Sequence, residues 1–296
     1  MNIFYLGFWF FKAKWLKIRK PLQSVIFISN QCNLRCKHCN VVDPQNPVSR
    51  TFEKIREDLL YCYQQGSRFI DFEGGEPLLW KDKEKNINDL IDLAKNIGFF
   101  STTVTTNAQL PFGHCKSDSM WISMDGLEQF HDIIRGDGSF EKLEENVKKS
   151  NYTSLNVNMV VNTLNYSNVE NTIKYVQSSP YIKNIALNFH TPYQGTEALF
   201  LPWEKREKTI DLIIEMKKKG YPIMNSISGL KMMKKNDFQK HCWVTNFILA
   251  DGTRLTECAG KSADICNRCG LCMAGEMYSL FTFKPDTVLA GLKVRM

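Results

Sequence analysis

Three cysteines, Cys32, Cys36 and Cys39, fall within one short stretch, QCNLRCKHC. Gaps of three and two residues let a tight loop bring their thiolates round one metal centre. A structural zinc would want a fourth protein ligand. His38 is the nearest candidate, but it sits between two of the cysteines, where ligation by all four would be strained. A four-iron cluster on three thiolates instead keeps one iron open, which is useful only if something else must bind there. A second group, Cys242, Cys258, Cys266, Cys269 and Cys272, supplies five thiols. Five are too few for two fully protein-ligated clusters and suit one, with a cysteine to spare. Which four would ligate stays open. So does zinc, because CxxC pairs beside a hairpin also describe zinc ribbons.

Each group needs elements that position it. Ser24–Ser29 reads as a strand feeding the first cysteine loop. The helix at 52–65 stops at Gly66. Strands follow at 69–72, 102–106, 121–124, 155–161 and 183–189, with helices at 86–97, 140–149 (Ser139 as N-cap), 167–177 and 203–219. Alternating strands and helices imply a parallel sheet with helical crossovers. About six units are present, too few for a closed eight-fold barrel. The fold class is therefore α/β, a partial (β/α)6 TIM-like barrel over 21–240 with a small cysteine-rich appendage over 241–296. Asp251-Gly252 marks a hairpin inside that appendage.

The composition, 43% hydrophobic and 23% charged over 296 residues, is that of a globular chain. Clustered cysteines argue against a disulfide framework and for a reducing, cytoplasmic setting. The net charge is +7, and Lys12, Lys14, Lys17, Arg19 and Lys20 account for most of it. The near-neutral remainder argues against a broad nucleic-acid-binding face. Residues 1–20 also place Phe4, Phe8, Phe11, Trp15 and Ile18 at helical spacing. Two readings stand side by side: a helix lying in the inner face of a membrane, or one that closes the barrel floor with its aromatics inside.

CNLRCKHC after a strand resembles the CxxxCxxC loop of the radical S-adenosylmethionine (radical SAM) superfamily. Gly74-Gly75-Glu76-Pro77 is similar to the family's GGEP at the cofactor's amino group. Thr105-Thr106-Asn107 stands where Thr-Asn-Gly is common, with Ala108 replacing the glycine. Ser123-Met124-Asp125-Gly126, His131 to Arg135, and Gly138-Ser139-Phe140 resemble the SxDG…HDxxR…GSF segment of SPASM and twitch members. Cys242, Gly252 and Cys258 resemble their CxnGxxxxC half-motif, with one extra residue after the glycine.

The resemblance implies an enzyme whose four-iron cluster, on Cys32, Cys36 and Cys39, binds SAM at its open iron. Reductive cleavage of SAM then gives a 5′-deoxyadenosyl radical that takes hydrogen from a substrate. It further implies SAM contacts at Gly74, Gly75, Glu76, Thr106, Asn107, Ser123, Asp125, Arg135 and Asn162, with Arg135 suited to gripping a carboxylate. An auxiliary four-iron cluster at 242–272 and an external flavodoxin- or ferredoxin-type electron donor follow from the same likeness. Cys115 is a candidate hydrogen-atom donor, or else an inert loop thiol. For the substrate, a peptide side chain and a lipid-like molecule are both expected readings. A non-enzymatic iron–sulfur or zinc-ribbon protein is the alternative class.

Overall fold

The structure, a computed structural model, describes residues 3–295. Residues 1, 2 and 296, at the edges of the first and last segments, lie outside them. Six strands form the barrel wall: β1 (Gln23–Phe27), β2 (Phe69–Glu73), β3 (Ser101–Thr106), β4 (Ser119–Ser123), β5 (Leu155–Val161) and β6 (Ile182–Phe189). Each pairs in parallel with the next. The pleat sends alternate side chains to opposite faces. On β5, Leu155, Val157, Met159 and Val161 are fully buried, whereas Asn156, Asn158 and Val160 are half-buried on the concave side. The apolar face packs beneath helices α2 (Phe52–Gln65), α3 (Ile87–Ile97), α5 (Ser139–Lys149), α6 (Val169–Ser178) and α7 (Trp203–Lys218). Helices α1 (Ile3–Lys14) and α4 (Gln129–Arg135) have other tasks.

Several local expectations hold and others are corrected. Helix α2 ends at Gly66, whose φ of 121° favours glycine. Ser139 is not the N-cap of α5 but its first residue. Asp132 on α4 satisfies that end instead, accepting from the amides of Gly138 and Phe140 and from Ser139 Oγ. The β3–β4 crossover has no helix: residues 107–118 run along α3, held by bonds between Asn88 and His114 and between Lys95 and Lys116.

Of the expected appendage, the described residues 241–295 do not stand apart. The Asp251-Gly252 hairpin joins β7 (Thr245–Ile248) to β8 (Arg254–Leu255), and β7 adds in parallel to the free side of β1. The main sheet thus has eight strands in the order β8-β7-β1-β2-β3-β4-β5-β6. Arg254 fixes the hairpin by bonding Asp58 on α2 at 2.9 and 3.1 Å, and Arg50 pairs with the same buried carboxylate. Helices α8 (Ile227–Lys235), α9 (Met273–Phe281) and α10 (Pro285–Arg295) complete the chain. Gly275 lies at the contact between α9 and α8: a Cβ there would lie 2.4 Å from the Gly229 carbonyl.

Helix α1 closes the strands' N-terminal edge. Tyr5 donates to the Gly66 carbonyl, and Trp9 donates to that of Lys20. Trp9 packs at a tilt against the rings of Trp243 and Phe281. The aromatics that dock are therefore Tyr5, Trp9 and Phe10, and Phe4, Phe8, Phe11 and Trp15 stay 46 to 91% exposed. The barrel-closing reading thus describes the docked face of this helix, and the other face is left exposed.

Candidate active site

The first cysteine loop leaves the C-terminal end of β1 and lies over the barrel mouth. The two glycines of Gly74-Gly75-Glu76 are required by the chain itself. A Cβ on Gly75 would sit 1.9 Å from the Gln31 carbonyl, and one on Gly74 would sit 2.3 Å from that of Ser29. The close approach lets Gly75 N–H donate to Ser29 and Glu76 N–H to Gln31, both at 2.8 Å. The GGE turn is thereby welded to the residues that launch the cysteine loop.

Glu76 is buried and accepts from Thr106 Oγ1 (2.7 Å), Asn107 N (2.8 Å) and Leu78 N (3.2 Å). Burial pushes its carboxyl up, against those bonds. Its side chain and that of Thr106 are thus brace groups joining the ends of β2 and β3. Asn107 turns the brace toward the loop, its Nδ2 donating to Asn33 Oδ1 at 2.8 Å and to Cys32 Sγ at 3.5 Å. Ala108 adopts a φ of 59°, which explains why glycine suits that position.

Asp125 and Arg135 form a buried pair, Nε to Oδ2 at 2.7 Å. Asp125 also accepts from Val160 N at 2.8 Å, and His38 Nε2 lies 3.8 Å from its carboxylate. Burial opposes the Asp125 charge, but the guanidinium holds its carboxyl below the usual range. Burial pushes His38 down to about 4, so it is neutral. Arg135 Nη1 lies 3.9 Å from Cys36 Sγ. Its Nε is committed to Asp125, so the arginine faces the cluster loop with what remains of its fork. Ser123 ends β4 on the concave face, in register with Asn158.

Two expected site residues are placed elsewhere. Asn162 is fully buried and caps its own turn, bonding the backbone of Val160 and Leu164. Cys115 is buried in the apolar core on the helix-covered side, its Sγ toward Ser117 and its carbonyl held by Tyr152; the fold does not bring it to the mouth.

Among the described residues, no three His, Cys, Asp or Glu side chains meet closely enough to ligate a single ion. The donors around each sulfur test the fit to a cluster. Leu34 N and Asn107 Nδ2 point at Cys32, Val41 N at Cys39, and Arg135 at Cys36. Hydrogen bonds to sulfur of this kind suit thiolates that hold a cluster. Burial raises the Cys32 thiol and pushes Cys36 up to about 11, so ligation here releases protons.

The concave wall was not legible as a site in the sequence. Asn156, Asn158, Asn184 and Asn188 line β5 and β6, linked side chain to side chain at 3.0 and 3.1 Å. Asp71 and Glu73 face the same side of β2, with Gln23 bonded to Asp71. Burial, reinforced by Asp71, pushes Glu73 up to about 7. Asparagine at alternate positions of apolar strands was the available signal.

A parallel half-barrel with three thiols looped over its mouth, braced by buried charge, defines a cofactor-dependent α/β enzyme. Residues 26–176 match the family model of the Radical SAM superfamily, half the chain. The chain belongs to that superfamily and is a radical SAM enzyme, a class whose cofactors are SAM and a 4Fe–4S cluster. It is 27% identical over 184 residues, 57% of its length, to a probable GTP 3′,8-cyclase of Methanocella arvoryzae, of which it spans 58%. It is 26% identical over 164 residues, 53% of its length, to the sporulation killing factor maturation protein SkfB of Bacillus subtilis, of which it spans 39%. The fold is similar to that of Streptococcus suis SuiB bound to S-adenosylmethionine (TM-score 0.65, 16% identity, covering 84% of this chain and 63% of that one). It is also similar to anSMEcpe with bound AdoMet and a peptide (TM-score 0.61, 18% identity, 93% and 83%).

Proposed function

We propose that this enzyme abstracts hydrogen from a polar substrate, a peptide or protein side chain, held against the amide wall of β5 and β6. The observation that carries this is the ladder of Asn156, Asn158, Asn184 and Asn188, whose donors and acceptors match a backbone or polar side chain. These side chains bond one another, and an isoprenoid chain would leave their remaining donors and acceptors unmet, which is costly. The Asp71 and Glu73 carboxylates facing the same space disfavour a polyphosphate such as the nucleotide of the cyclase relatives. SuiB has been solved with its precursor peptide and anSMEcpe with a peptide, which agrees with this reading.

Bound SAM and its cluster, reduced by a flavodoxin- or ferredoxin-type donor, supply the radical chemistry. The chain's own residues hold and orient. The GGE turn and Asn107 fix the cysteine loop, Asp125 and Arg135 place a positive charge beside Cys36, and Ser123 and the asparagines present polar contacts. Residues 242–272 are read as an auxiliary 4Fe–4S site.

The test supplies deuterated cell peptides or deuterated lipid extract to the reconstituted enzyme and follows deuterium into 5′-deoxyadenosine by mass spectrometry. Transfer from peptides, weakened in N158A/N188A, is expected. Transfer from lipid alone overturns the reading.

The outward face of α1 is read as a seat on an anionic bilayer. Phe4, Phe8, Phe11 and Trp15 are exposed, and Trp15 continues onto the half-exposed Phe283 (ring centroids 5.8 Å apart). Basic residues and no acids accompany them in 1–20. This face lies at the barrel end opposite the cysteine loop, so it anchors the enzyme rather than feeding the mouth. Among the described residues, no helix is long and apolar enough to cross a membrane.

A further inference from the structure

The inward face of the half-barrel carries acid and no base. Side chains at alternate strand positions face the lumen. Among the described residues, these positions on β1 to β7 hold no lysine, arginine or histidine. They do hold Asp71 and Glu73, two residues apart on one face of β2. Arg135, the cation at the mouth, has its Nε committed to Asp125. The two lumen carboxylates differ in their bonding. Asp71 accepts from Gln23 Nε2 on the neighbouring strand β1. Glu73 has no side-chain hydrogen bond and no ion pair among the described residues. Elsewhere in the fold, enclosed carboxylates are engaged: Asp58 by Arg50 and Arg254, Glu76 by Thr106 and Asn107, Asp125 by Arg135, and Glu276 by the Ser226 amide.

Glu73 also stands at the reacting end of the lumen. Its carbonyl accepts from Ile28 N at 2.9 Å, and the GGE turn that follows it bonds Ser29 and Gln31, where the cysteine loop begins. It is thus the inward residue of β2 nearest that loop, and the amide wall of β5 and β6 lies beyond two intervening strands. A lone carboxylate in such a place is costly, and burial and Asp71 both push the Glu73 carboxyl up. A cation seated against it removes that cost and gains charge-assisted hydrogen bonds. A neutral or anionic group does neither.

We infer that the substrate side chain entering the lumen is that of a basic residue, lysine or arginine, and that Glu73 is the specificity residue that receives its cationic head. Asp71, held by Gln23, adds a second negative charge one pleat deeper. The inference rests on the peptide reading above and names the class of residue within it.

The experiment uses the reconstituted full-length enzyme and three peptide extracts: one fully deuterated, one from cells fed perdeuterated lysine, and one from cells fed perdeuterated arginine. Deuterium arriving in 5′-deoxyadenosine is followed by mass spectrometry. The lysine or the arginine extract should reproduce the transfer seen with the fully deuterated one, and the arm that does so identifies the residue. Acetylating the peptide amines, which removes the lysine charge while the enzyme stays unaltered, should abolish transfer in the lysine arm and leave it in the arginine arm. In E73Q, transfer from the active extract should fall by about tenfold or more, whereas E73D, which keeps the charge, should retain it. Transfer from the fully deuterated extract with none from the lysine or arginine extract overturns this inference and leaves the peptide reading standing. No transfer from the fully deuterated extract overturns the peptide reading itself. E73Q that transfers as well as wild type removes Glu73 from the assignment, since a neutral amide would then serve equally.

Discussion

Replacing Asp125 with asparagine tests the buried charge pair that braces the mouth. Asp125 is fully buried and Arg135 nearly so, and their 2.7 Å bond is charge-assisted. The second carboxylate oxygen accepts from Val160 N at 2.8 Å. Asparagine can keep one of these acceptor contacts but turns an NH2 group toward the other donor. Breaking a buried pair by removing one partner costs about 3–5 kcal/mol, and the retained acceptor places D125N near the lower end. At roughly 2–4 °C per kcal/mol for a chain of this size, the thermal midpoint of metal-free protein should fall by about 6–12 °C at pH 7. The pH dependence has a definite sign. The folded carboxyl is held below the ordinary 3.8, so its contribution is complete above that value and disappears as pH falls through the lower folded value. The wild-type advantage over D125N should therefore be flat from pH 8 to about 5 and shrink below 3.8. A loss under about 1 kcal/mol at pH 7, or a gap that widens in acid, would refute the argument that a paired, desolvated charge holds this region.

Four further outcomes are expected. G75A places a methyl group against the Gln31 carbonyl and should forfeit the iron held by Cys32, Cys36 and Cys39 while leaving distal iron in place. R254A removes two bonds to buried Asp58 and should lower stability by about 1–3 kcal/mol, since Arg50 still pairs with that carboxylate. Full-length protein should float with phosphatidylglycerol vesicles, less with phosphatidylcholine or in high salt, and F8S/F11S/W15S should remain unbound with its secondary structure intact; equal flotation would dismiss the membrane seat. C115A should leave 5′-deoxyadenosine formation and substrate turnover unchanged, because the thiol is packed away from the mouth.

Much of the architecture is legible because it is local. The helix at 52–65, the strands at 155–161 and 182–189, and the Asp251-Gly252 hairpin follow from periodicity, glycine stops and turn chemistry, which act over a few residues. What differed depended on which partner reached a group first. Ser139 has the chemistry of an N-cap, but Asp132 reaches the same amides first. Asn162 stands at a strand end like a pocket residue, yet its side chain closes its own turn. The need for glycine at Gly275 is invisible in the sequence because the α8 backbone that it touches is 46 residues away.

The sequence alone determined the cofactor chemistry, since the spacing of Cys32, Cys36 and Cys39 and the order of the motifs are properties of the linear chain. Only the tertiary structure decided the assignment of partners. It spent Glu76 on Thr106 and Asn107, and it tied Arg135 to Asp125. It put Cys115 in the core, and it split the α1 aromatics into a docked face and an exposed one. The physical reason is that ligation, charge pairing and burial are pairwise in space, and residues such as Arg206 and Cys269 become neighbours only when the sheet closes between them.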